Sequence, residues 1–191
     1  VISSQTRNSL TIALLFWQPA KEKTNVAYHF LVIKKLKYKS MIKDINNKTC
    51  VEILGKNYVG RLAFIAEGEP CVIPITYYYD RETNSIISYS AEGHKIESMR
   101  ISNSVALQVD EVSSVNRWQS VLVHGLYEEL HQIDAKFNLH EFTEGVKKVI
   151  AERDKENPHF IGEFSAKLRD EGSPVVYRIN IKKITGKQRQ G

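Results

Sequence analysis

Cysteine is scarce in this chain: two residues, Cys50 and Cys71, among 191. They stand too far apart for a CxxC metal or redox motif. Two reduced thiols are the ordinary state in a cytoplasmic protein, and that localisation is expected here. No apolar run approaches the ~18 residues that a membrane span needs. The sequence also lacks GxGxxG and GxSxG, so neither a dinucleotide fingerprint nor a hydrolase elbow is available. The histidines are scattered. His124, His131, His140 and His159 form no i, i+4 pair and no zinc spacing, so no metal is expected.

A basic body is missing too. The net charge is +5, but residues 1–40 carry seven basic residues and one acid. From Met41 on, 20 basic residues face 21 acidic ones, a balance of −1. Nucleic-acid binding needs a basic face on the folded body, so neither nucleic acid nor membrane is expected as a partner. The short apolar run Leu10–Trp17 ends at Pro19. Arg7 is the lone early positive charge, and no small-x-small cleavage site follows, which argues against a signal peptide. Met41 precedes a regular pattern. Residues 1–40 are therefore expected to be an extension outside the fold, with one domain over 41–191.

What is there reads mainly as β. Thr49–Lys56 suits a short helix burying Val51, Ile53 and Leu54, ended by Gly55 or Asn57. Gly60–Ala66 alternates as a strand, and Glu67-Gly68-Glu69 is a turn. Pro70–Tyr79 is rich in β-branched and aromatic residues and reads as a strand. Pro74 within it implies an edge or a bulge, because proline cannot donate to the ladder. Ser85–Ser90, the alternating Val105, Leu107 and Val109, Val121–Glu129, and Val175–Ile181 are further strands. Gly125 marks a bulge or a close approach. Helices are expected from the Glu92–Lys95 turn to about Ile101, and over Ala135–Arg153. Antiparallel strands joined by short turns close best as a barrel, because closure removes unpaired edges.

Ser88–Arg100 (SYSAEGHKIESMR) carries the most chemistry. A strand ends in the hydroxyls of Ser88, Tyr89 and Ser90. A glycine turn follows, and His94 and Lys95 open a helix. Helix N-termini present free N–H groups and a positive dipole end, and Lys95 adds a point charge. Such a constellation can hold a phosphomonoester. The competing reading is that Glu92 caps the helix and Lys95 is merely solvated.

Six blocks in order carry a resemblance: GRLAF, IPITYYYD, SAEGHKIESMR, VALQVDEV, WQSVLVHGLYEEL and YRINIKKITGKQR. Over roughly residues 48–189 the chain resembles the pyridoxamine 5′-phosphate oxidase-related FMN-binding split barrels. It is most similar to the branch that includes the nitroimidazole-resistance proteins. The resemblance implies a mainly β split barrel of Greek-key-like antiparallel strands that binds FMN as a homodimer. It implies that Ile73, Pro74, Ile75 and Thr76 lie along the flavin ring. Ser88, Tyr89 and Ser90 would reach the phosphate and ribityl chain, and His94 and Lys95 would clamp the phosphate. Ser120 would approach the flavin from the partner subunit. Trp118 would wall the ring or the dimer contact, or simply sit in the core. The arginine and lysine that the oxidase uses on the ring strand are absent here. So is its C-terminal arginine pattern, which argues against pyridoxamine phosphate oxidation. Neither Ser88 nor Tyr89 is the histidine often found there in nitroimidazole-resistance proteins.

The implied activity is an FMN-dependent oxidoreductase moving electrons from NADH, NADPH or another donor to a small acceptor. Its catalytic residues are not specified by these motifs. The alternative is a non-catalytic flavin- or haem-binding carrier or sensor.

Overall fold

The computed structural model describes residues 42–155 and 174–190. The expectation for residues 1–40 falls outside them. The described elements begin with β1 (Ile42–Asp44), α1 (Asn47–Lys56), β2 (Val59–Ala66), β3 (Glu69–Thr76), β4 (Tyr78–Asp80) and β5 (Ser85–Ser90). After these come α2 (His94–Ile101), β6 (Ser104–Ser114), β7 (Arg117–Glu129), α3 (Gln132–Arg153) and β8 (Val175–Gln190).

The pairing is antiparallel throughout, in the order β3-β2-β6-β7-β8-β5-β4, with β1 added along the far half of β8. The two ends of that path, β3 and β4, are separated in the chain by Tyr77 alone. The sheet must therefore curl until its two edges meet without pairing, which makes it a split barrel. One core fills it, with Leu62, Tyr77, Ile86, Val109, Val123 and Tyr177 among the buried residues.

The expected single strand over 70–79 is two strands. Tyr77 breaks the ladder: its N–H bonds Tyr58 O at 2.8 Å, and its buried hydroxyl donates to Leu54 O at 2.9 Å. That turn of the backbone sends the chain from one sheet edge to the other. Pro74 stands on β3, an edge strand that among the described residues pairs with β2 alone, the position where a proline is tolerated in a sheet.

The Asn46 side chain caps α1, accepting from Thr49 N–H at 2.9 Å, and the helix ends at Asn57. Ile53 and Leu54 are buried as expected, and Val51 is half-buried. Gly125 is both a register shift and a close approach: a Cβ there would lie 2.5 Å from Ile179 Cγ2. The shift leaves Lys182 of β8 unpaired, because His124 opposes Lys183 and Gly125 opposes Ile181. β7 and β8 run well past their expected ends, because each is the other's ladder partner up to Arg117 and Gln190.

On α3, Phe142, Val146 and Ile150 pack against Ile87 of β5, covering that face of the sheet. In α2, Ile96 and Met99 enter the core, whereas Ile101 is 89% exposed at the helix end. The outer face of β2, β3 and β6 stays open, with Val59, Ile65, Val72 and Val112 exposed on it. No described helix is long and apolar enough to cross a membrane.

Candidate functional site

The split between the sheet edges is where the expected residues meet. Ser88 on β5 is buried, and its hydroxyl donates to Thr76 O at the end of β3 at 2.8 Å. Tyr177 on β8 lies directly opposite Ser88. The Lys95 ammonium stands 6.0 Å from the centroid of the Tyr177 ring. Thr76, Ser88 and Lys95 are thus gathered at one corner, with Tyr177 as an addition that the strand pattern did not single out.

Why α2 begins there is local chemistry. Gly93 has φ 146°, a conformation that favours glycine, and the chain turns on it. Gly93 is the N-cap and has no side-chain cap bond; its carbonyl accepts from the Ile96 and Glu97 amides at 2.9 and 3.1 Å. The amides of His94 and Lys95 precede the first intrahelical bond. Glu92 does not cap the helix. It pairs with Arg100 at 2.8 Å, and Arg100 also holds Glu129 on β7 at 2.7 Å. That bridge ties the turn before α2 to the sheet. The hydrogen bond from Arg100 holds the Glu129 carboxyl below its usual range.

Lys95 is half-buried and has no carboxylate partner among the described residues. Burial pulls its ammonium below the ordinary lysine range. The Tyr177 hydroxyl is buried without a well-formed hydrogen bond among the described residues. Burial pushes this phenol up to about 12, and the neighbouring Ser88 hydroxyl pulls weakly the other way. A half-desolvated cation at a helix start, with no anion beside it among the described residues, is what a phosphate monoester would complete.

The remaining expected residues divide between faces. Pro74 and Thr76 are exposed on the open face of β3, whereas Ile75 is buried and Ile73 half-buried on the core side. Ser90 is half-buried beside Val175, and His94 is exposed as the first residue of α2. Tyr89 points away from this corner, its ring edge-on to Phe142 at 5.0 Å. Ser120 is not brought to Lys95 within one chain. It lies toward the opposite end of β7 from Glu129, the residue paired with Tyr177. There it faces the open side between Asp110 and Lys187, accepting from Gln108 at 3.2 Å. Among the described residues no cluster of His, Cys, Asp and Glu could hold a metal ion.

With this geometry in place, comparison with known proteins is informative. A family model described as pyridoxamine 5′-phosphate oxidase matches residues 46–188. The crystal structure of a FAD-binding protein from Mesorhizobium loti superposes with a TM-score of 0.61 at 29% identity, covering 78% of this chain and 98% of that one. A Bacteroides thetaiotaomicron protein assigned to 5-nitroimidazole antibiotic resistance shares the fold, with a TM-score of 0.52 at 17% identity over 77% of this chain and 88% of that one. An uncharacterized protein of Rhizobium meliloti is 33% identical over 89 residues, which is 47% of this chain and 58% of the relative's length.

Proposed function

Because the chain belongs to the pyridoxamine 5′-phosphate oxidase family, we propose that it binds flavin mononucleotide between two copies of itself and works as an oxidoreductase. The observation that carries this reading is Lys95, half-buried at the first turn of α2 and lacking a carboxylate partner among the described residues. The corner fits one phosphate. Lys95 supplies the charge, the α2 amides supply donors, and Ser90 and His94 lie alongside. Ser88 acts indirectly, holding the end of β3 in place through Thr76.

From that anchor the exposed edge strand β3 presents Pro74 and Thr76 and its free backbone groups toward a ring. Val59, Ile65, Val72 and Val112 are exposed apolar side chains on the neighbouring sheet face, and Ser120 stands on that face. A second copy seated there would bury those side chains and bring its own Ser120 to the first copy's ring strand. Flavin supplies two-electron transfer between a donor such as NADH or NADPH and a small oxidised acceptor. The protein's part is to bind, orient and exclude water.

The test is titration of flavin-free protein with FMN and, separately, FAD. FMN is expected to bind more tightly, and Lys95→Ala to weaken it by about 1–3 kcal/mol, the usual cost of a lost charge-assisted bond. Equal FMN affinity in variant and parent would remove Lys95 from the site. Anaerobic bleaching of the absorbance near ~450 nm by NADH or NADPH, a flavin property, separates an oxidoreductase from a carrier.

A further inference from the structure

A second set of basic residues lies away from Lys95, where β6, β7 and β8 end together. Trp118 and Arg189 are directly opposed across the β7–β8 ladder, and Arg117 faces Gln190 one step along. These residues, with Gln119 and Glu111, line a cavity of about 350 Å³.

Its charge is not internally balanced. The Arg189 Nε is buried with no hydrogen-bond partner among the described residues. Neither Arg117 nor Arg189 makes an ion pair among the described residues. The lining holds two guanidinium groups against one carboxylate, Glu111, which accepts from Asn57 Nδ2 at 2.9 Å. Gln119 donates one of its two amide N–H groups to Gln188 Oε1 at 3.2 Å. A buried guanidinium N–H without an acceptor is costly, and native proteins rarely leave one so. The guanidinium is a planar fork matched to a carboxylate, while Trp118 beside it offers a flat apolar surface. The volume sits at the lower end of small-molecule sites.

We propose that this cavity is a binding site for a small aromatic carboxylate, its carboxylate on Arg189 and Arg117 and its ring against Trp118. Neither Lys95 nor α2 lines it, but Trp118 lies two residues from Ser120 and opposite Val112, on the sheet face that the proposed second copy would meet, so the inference rests on that copy leaving the cavity open.

Calorimetric titration of the full chain, with its flavin and without, tests it using benzoate, the neutral isostere benzamide, and inorganic phosphate. Benzoate is expected to bind saturably in both states, and benzamide and phosphate at least about ten-fold more weakly. Arg189→Gln is expected to lose about ten-fold or more in benzoate affinity, with Arg189→Lys in between, because lysine keeps the charge without the fork. Thermal melting checks that each variant folds. Should Arg189→Gln fail that check, Arg117→Ala carries the same expectation of weakened benzoate binding. Absence of benzoate binding, equal binding of benzamide or of phosphate, or parental affinity in the folded variants would overturn the proposal. Loss of FMN binding with benzoate binding intact would instead count against the flavin reading alone.

Discussion

Ser88 Oγ and Thr76 O, twelve residues apart in the chain, meet at 2.8 Å across the split where the two edges of the curled sheet approach. Thr76 ends β3 and Ser88 lies in β5, two strands that share no ladder. This one side-chain bond stands where backbone pairing stops. Ser88→Ala would leave a carbonyl unsatisfied beside a buried site. The expected loss is about 1–3 kcal/mol of unfolding free energy, read by urea denaturation. Ser88→Thr keeps the hydroxyl and is expected to lose less. Unchanged stability in Ser88→Ala would show that the contact contributes nothing.

Gly125 is a steric prediction. A Cβ at this position would sit 2.5 Å from Ile179 Cγ2 and 2.7 Å from Asn180 O. One of those atoms is backbone and cannot swing away. Gly125→Ala is expected to destabilise by about 1–3 kcal/mol through overpacking of the β7–β8 ladder. A melting temperature matching the parent would mean that the bulge at Lys182 absorbs the added methyl.

Acid stability follows from Glu128. Its carboxylate accepts from Arg178 Nε at 2.9 Å and from Asn180 Nδ2 at 2.6 Å, and these bonds hold it below the usual glutamate range. A carboxyl depressed in the folded state binds fewer protons there than when unfolded. Its stabilisation is therefore present above the unfolded value, about 4.3, and is lost as pH falls below it. The pair is partly exposed, so its share is about 1 kcal/mol or less. Unfolding curves at pH 7 and pH 3 should show a smaller acid loss for Glu128→Gln than for the parent. Identical losses would remove the pair from the acid response.

Lys95 governs the alkaline limb of ligand binding. Its ammonium is depressed by burial when no anion is present. An anion binds the charged form and raises that value again. FMN affinity should then be full below the ligand-free value and decline as pH rises through it, earlier than an ordinary lysine near ~10.4 would allow. Lys95→Arg, which stays charged, should move the decline upward. Flavin fluorescence titrations from neutral to alkaline pH read this directly, and a profile that Lys95→Arg leaves unchanged would count against the role.

The sequence by itself determined the local pieces. Period-two alternation in Gly60–Ala66, Val105–Val109 and Val175–Ile181 marked strands, because side chains of one strand face alternate sides whatever the neighbour. Pro74 marked an edge or a bulge because it has no N–H to donate, and Gly125 a bulge or a close approach because it has no Cβ. The approach of His94 and Lys95 to a helix start was legible for the same reason, since Gly93 and the helix follow one another in the chain. Only the tertiary structure decided which pieces meet. The break at Tyr77 depends on Tyr58 and Leu54, the seat of Lys95 on Tyr177, and the cavity of Arg117, Trp118 and Arg189 on the full register of β7 with β8. Ladder register is a non-local property, fixed by burial of many side chains at once, and no short window of residues contains it.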